Sequence, residues 1–266
     1  MNNFLVDPDV QVTETVDGPL GRFEAGQKII IQRALGSFNG LDLFVPPLQF
    51  EGLFVDKAIE EALLAKESKD KVLLTTNFTG PKEILISKDN NDRFKNFCQH
   101  QTVAIFLSVS ALESWAHGCI TQFGIDQLGE PMKLVYTDDK KEEKETNAKQ
   151  ILKNPRIASL NRLIIQILPQ VFRSKSFKPK SPRGQTLKAL IDSRNTVAHL
   201  QKAGVSGEKY NQERLDFCVN LYQKHPYWAI QEVLNVMHFF YDTSTLSAEK
   251  PHWLTQSSNK LDIYKK

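Results

Sequence analysis

Two rhythms of apolar and polar residues divide the chain. Up to about residue 90 the apolar positions come in short β-branched or aromatic runs: VQVTETV, KIIIQRAL, LDLFVPPLQF, KVLLTTNF and EILISK. The turn signals DGPLG, FNG, FTGP and KDNND separate them, which predicts short strands. One helical insertion interrupts the series. VDKAIEEALLAKES, from Val55, puts Ile59, Leu63 and Ala62 on one face.

From Asn91 the spacing becomes that of helices. Within DRFKNFCQHQTVAIFLSVSALESWAHGCITQFG, the residues Ile105, Val109, Leu112, Ala116, Cys119 and Phe123 fall on one stripe, which Gly124 and Gly129 end. The run TDDKKEEKETNAK (137–149) mixes charges and predicts a solvated loop or a frayed helical turn. PRIASLNRLIIQILPQVF follows as a shorter helix, with Leu160, Ile164 and either Ile167 or Leu168 inward. After the Pro-punctuated linker RSKSFKPKSPRG (173–184) come GQTLKALIDSRNTVAHLQK, NQERLDFCVNLYQK and PYWAIQEVLNVMHFFYD, with Pro226 suited to the first turn of the last. The tail KPHWLTQSSNKLDIYKK has no clear period and is expected to drape on the surface. The expected fold class is therefore α+β: a β-rich or α+β unit over residues 1–90, an all-α bundle over 91–242, and a C-terminal tail over 243–266.

Composition narrows the functional classes without choosing one. A net charge of +3 is too weak by itself to indicate nucleic acid, so only clustering of basic residues would count. Cys98, Cys119 and Cys218 form no CxxC pair, and no HxxxH spacing occurs among the six histidines, so no metal site and no cofactor is expected. No phosphate-cradling GK[ST] loop, GxSxG elbow or GxGxxG turn is present. MNNFLVDPDVQ lacks the basic and apolar regions of a secretory signal, and no stretch reads as a span of about 18–20 apolar residues. A cytoplasmic protein without a membrane partner is expected. Trp115, Trp228 and the HFFYD aromatics read as core or as a subunit seam.

The informative stretch is SRNTVAHL (193–200). At 100° per residue Leu187, Leu190, Ile191, Val197 and Ala198 share an apolar arc, and Arg194 falls in its middle. Asn195 and His199, four apart, flank that arc together. Burying an unpaired guanidinium costs several kcal/mol, so Arg194 needs a partner or an anion-filled cleft. Glu113, at the inner edge of the long helix's stripe, is the candidate partner. Upstream, Arg173, Lys175, Lys178, Lys180 and Arg183 lie within eleven residues that hold no acid, a candidate grip for a polyanion. Phe177 among them could stack a base.

Arg194-Asn195-Thr196-Val197-Ala198-His199, on a helix within an all-α segment, resembles the R-x4-6-H signature of the HEPN superfamily. The apolar lead-in LKALIDSRN, the following AHL and the upstream FLSVSALESWAHGCI are similar to that family too. The resemblance covers roughly residues 91–242. It implies a HEPN-like helical bundle that pairs into a homodimer with both Arg/His sets in one cleft. Many such proteins are metal-independent endoribonucleases of toxin–antitoxin, CRISPR-associated and anti-phage systems, whereas others bind without cutting.

On that basis Arg194, Asn195 and His199 are the expected catalytic residues, with Glu113 in support. RNA is the expected substrate, gripped by Arg173, Lys175, Lys178, Lys180 and Arg183, and an antitoxin or regulatory protein is a further expected partner. The residue types suit the chemistry: histidine moves protons near neutral pH, and an always-charged planar arginine meets a developing phosphorane. Arg194 and His199 are five apart, about 140° around a straight helix, so a second copy of the helix would bring them together better than one. The alternatives are a non-catalytic HEPN-like interaction module and a nucleotide-sensing regulator.

Overall fold

The computed structural model describes residues 4–7, 15–18, 21–23, 25, 31–38, 41–45, 49–72, 74–76, 84–86, 90–125, 129–154, 157–176, 178–199, 207–246 and 248–265. It is an α+β chain in two compact units, Met1–Gln49 and Phe50–Lys266. In the first, β4 (Ile31–Phe38) is the centre of an antiparallel sheet of order β1-β4-β5, with β1 at Phe4–Asp7 and β5 at Leu41–Val45. The register pairs Phe4 with Ala34 and Ala34 with Val45. β2 (Val16–Gly18) and β3 (Gly21–Phe23) form a separate hairpin at the DGPLG turn. Most of the VQVTETV run lies outside the described residues.

The unit boundary falls at Gln49–Phe50, not at residue 90, because the helix read as an insertion belongs to the bundle. That helix, α1 (Phe50–Asp70), buries Gly52, Val55, Ala58, Ile59, Ala62 and Ala65, while Leu63 is only half-buried. Small side chains let it lie close along α2 (Asn91–Phe123). Between them, β6 (Leu74–Thr76) and β7 (Ile84–Ile86) pair antiparallel and also fall in the second unit.

α2 is the spine of this unit. Its stripe is buried as the period predicts, from Ile105 through Cys119, and Phe123 packs half-buried at the end. Contrary to the expectation that no stretch reaches span length, α2 does by length and composition, with a mean hydropathy of 1.4 in its most apolar window. Of that window 56% is buried inside the protein, as in a core helix.

The charged run after α2 is a loop only over residues 138–142 and helical only at its end, with strand on either side of that loop. β8 (Lys133–Thr137) and β9 (Glu143–Asn147) form an antiparallel hairpin, followed by α3 (Ala148–Lys153). α4 (Leu160–Arg162), a π-helical turn (Leu163–Ile167) and α5 (Leu168–Val171) run on as one rod. The wider turn carries an extra residue, so both Ile167 and Leu168 are buried. From its solvent side Gln170 docks the hairpin like a strand: its Oε1 accepts from Val135 N–H at 3.0 Å and its Nε2 donates to Val135 C=O at 2.6 Å. Gln166 Oε1 accepts from Thr137 N–H at 2.6 Å.

α6 (Pro182–His199), α7 (Gly207–Gln223) and α8 (Trp228–Thr243) complete the bundle. α8 begins two residues after Pro226, which sits in the turn ahead of it. Trp115, Phe172, Phe240 and Tyr241 form one aromatic core, with Phe172 5.4 Å from Phe240 and 5.3 Å from Tyr241 between ring centroids. The tail also differs from its expectation. It folds as α9 (His252–Lys265), burying Leu254, Ser257 and Leu261 against the rest of the unit. Ser257 donates to Asp56 of α1 at 3.2 Å, and Trp253 lies so close to Gly52 that an added Cβ would sit 3.2 Å from its ring.

Candidate functional site

α6 starts where its sequence says it should. The Ser181 hydroxyl accepts from the Gly184 N–H at 3.2 Å, and Pro182 opens the first turn. Lys178 and Pro179 fold back over that turn, leaving 2.5 Å between the Lys178 carbonyl and any Cβ at residue 184, so glycine is required there. Leu187, Leu190 and Ile191 then pack against the bundle.

Beyond Ile191 the arc opens to solvent. Val197 is half-buried and Ala198 exposed, so Arg194 stands at the rim of the buried seam rather than in its middle. Its side chain is 27% exposed, and its Nη2 donates to Glu113 Oε2 at 3.3 Å. Glu113 is itself 46% exposed. The ion pair expected between α6 and α2 is present, but it is a single contact open to water.

Arg194 and Glu113 line a cleft of about 430 Å³ together with Lys188, Asn195, Ser159 and Asn161. Asn195 also lines the opposite groove of about 880 Å³, which runs between α6, α7 and α8 past Asp192, Asp216, Asn220, Lys224 and Trp228. Asn195 and Asp192 thus line both. His199 ends α6, and its side chain lies outside the described residues, as does Phe177.

Arg173, Lys175, Lys178, Lys180 and Arg183 are all exposed, at the other end of the helix. Of these only Arg183 is on α6, about 16 Å from Arg194 along it, and the other four lie in the segment before the helix, so the basic run and the Arg/Asn pair do not share a cleft. Arg183 also stacks on Phe239, 5.5 Å from its ring centroid.

Sequence reasoning passed over two features. Lys188 reaches the same cleft as Arg194; its spacing to Asp192 and Asn195, four and seven residues, was the available signal. His117 stands one turn beyond Glu113 on α2, half-buried. Burial pushes its pKa below the ordinary value, and the Glu113 carboxylate only partly restores it. Among the described residues no three His, Cys, Asp or Glu side chains converge as metal ligands. Compared with known proteins, the chain matches no family model, no curated protein and no solved structure.

Proposed function

We propose that this chain is a metal-independent endoribonuclease of HEPN type, acting as a homodimer through its helical bundle. The observation that carries the reading is the state of Arg194. It is half-buried on the wall of a cleft, and among the described residues its charged partner is a water-exposed carboxylate at 3.3 Å. A guanidinium held that loosely is positioned and yet free to exchange Glu113 for a phosphate.

In the proposed reaction the 2′-hydroxyl of RNA attacks its own phosphorus. His199 takes the 2′ proton and returns it to the leaving 5′-oxygen, and a cyclic phosphate and a 5′-hydroxyl result. Arg194 balances the charge on the phosphorane, and Asn195 hydrogen-bonds the phosphate or orients His199. Pairing of two protomers overcomes the divergence of Arg194 and His199 on one helix, because Arg194 of one then works beside His199 of the other. Lys188 would add charge beside Arg194, while Arg173, Lys175, Lys178, Lys180 and Arg183 would hold the strand beyond the N-terminal end of α6. A cytoplasmic toxin or defence role, with a restraining antitoxin, comes with the resemblance alone.

One experiment tests this. The purified protein is incubated with mixed RNA in EDTA beside Arg194→Ala and His199→Ala variants. Cleavage should be lost in each variant and partly restored when the two are mixed, since a hybrid dimer retains one complete site. Intact RNA with the unaltered protein refutes the nuclease. The acidic side chains Asp192 and Asp216 of the larger groove, together with the Arg194–Glu113 pair, favour a second reading: a HEPN-like interaction module or nucleotide-sensing regulator that binds without cutting. RNA or nucleotide retained uncleaved would support it.

A further inference from the structure

Two of the three thiols meet across helices far apart in sequence. α2 and α7 pack so that Phe94 lies 5.7 Å and Phe97 5.3 Å from the Tyr222 ring, between centroids. One turn along α2 from Phe94 is Cys98, and one turn back along α7 from Tyr222 is Cys218, so the cysteines occupy the next layer of the same seam. Cys98 hydrogen-bonds Cys218, and both are half-buried and unoxidised.

We propose that Cys98 and Cys218 form a reversible disulfide that staples α7 to α2 in response to a peroxide oxidant. The two thiols differ in chemistry. The bond from Cys98 holds the Cys218 thiol down at about 7, against its burial, and the charge of Arg214 adds to the effect. Donation of that bond, together with burial, raises Cys98 far above the usual thiol range. Cys218 is thus the thiolate and Cys98 the resolving thiol.

The Cys218 thiolate attacks one oxygen of hydrogen peroxide. The O–O bond breaks, hydroxide leaves, and Cys218 becomes a sulfenic acid. Cys98 then gives up its proton and attacks that sulfur. The S–O bond breaks, the hydroxyl leaves with that proton as water, and two electrons have passed from the sulfurs to the peroxide. Cys119, 3% exposed and pushed upward by burial, takes no part.

The seam borders the larger groove, whose wall includes Phe217 and Asn220 on either side of Cys218. Oxidation therefore fixes one wall of that groove. The inference stands whether or not the chain cuts RNA.

The full-length protein, freed of added thiol, is treated with hydrogen peroxide, blocked with N-ethylmaleimide and digested without reduction for mass spectrometry. Expected is one cross-linked peptide pair joining Cys98 to Cys218, lighter by two hydrogens and separated by dithiothreitol. Closing so long a loop should raise Tm by on the order of 10 °C. In Cys98→Ser a sulfenic acid should persist at Cys218 and react with dimedone. Peroxide-treated protein in which both cysteines still take up maleimide, or in which they oxidise separately or pair with Cys119, overturns the proposal.

Discussion

Replacing Glu113 by Gln separates a structural tie from a binding group. The pair it breaks has one contact, Nη2 to Oε2 at 3.3 Å, between side chains 27% and 46% exposed. At a near-surface effective dielectric of about 20, two unit charges at that distance attract by about 5 kcal/mol, and in bulk water by little more than about 1 kcal/mol. Half exposure and the lack of a second, parallel hydrogen bond place this pair near the water limit. Side-chain ordering removes much of what is left.

A double-mutant cycle over Glu113→Gln, Arg194→Ala and the double variant, read by urea unfolding, should therefore give a coupling of about 0.5–1 kcal/mol. RNA binding should move oppositely in the two single variants. Arg194→Ala weakens it, whereas Glu113→Gln removes a competing carboxylate and tightens it by up to about fivefold. A coupling of about 3 kcal/mol or more, as in a fully buried pair, would refute the reasoning, because Arg194 would then be a strut. Glu113→Gln weakening RNA binding as much as Arg194→Ala would refute it equally.

Phe172→Ala, which empties the space between Trp115, Phe240 and Tyr241, should destabilise the bundle by about 3–5 kcal/mol in the same urea assay. Changing Lys175, Lys178 and Lys180 together to Gln should leave stability unchanged. The slope of log affinity for single-stranded RNA against log salt should become shallower by about 2. Burial holds His117, His225 and His238 below the ordinary 6.5 in the folded state. Below that pH the unfolded chain binds more protons, so the urea midpoint should fall on acidification from neutral pH through the mid-range. Glu232, which burial raises above 4.5, opposes the trend at its acidic end, so His238→Gln should flatten the fall and Glu232→Gln steepen it.

What the sequence revealed of the fold follows from how strongly burial marks each residue. The α2 stripe was legible because leucine, isoleucine and valine recur at the helical period. α1 was harder to assign to the bundle, since its buried face relies on Gly52, Ala58, Ala62 and Ala65, which pattern reading weights little. α9 was hidden because a serine, Ser257, takes the buried place between Leu254 and Leu261, satisfied by Asp56. The β8–β9 hairpin was hidden by charge: β9 buries only Thr146, so no alternation marks it. In the candidate site the Arg194–Glu113 pairing was legible from angles alone. The openness of the arc past Ile191 was not, because exposure of Ala198 depends on where the packed helices end and not on α6 itself.

The glutamines that dock β8 have a consequence beyond holding the hairpin down. A two-stranded ribbon normally offers an unpaired row of amides and carbonyls on each side, an invitation to a strand from another chain. On the β8 side, Gln166 and Gln170 already occupy the Val135 and Thr137 positions with side-chain amides. On the other side, Glu143, Lys144 and Glu145 surround any incoming backbone with charge. The hairpin is thus closed to intermolecular sheet growth along both borders, so this charged ribbon is kept from joining a second copy strand to strand.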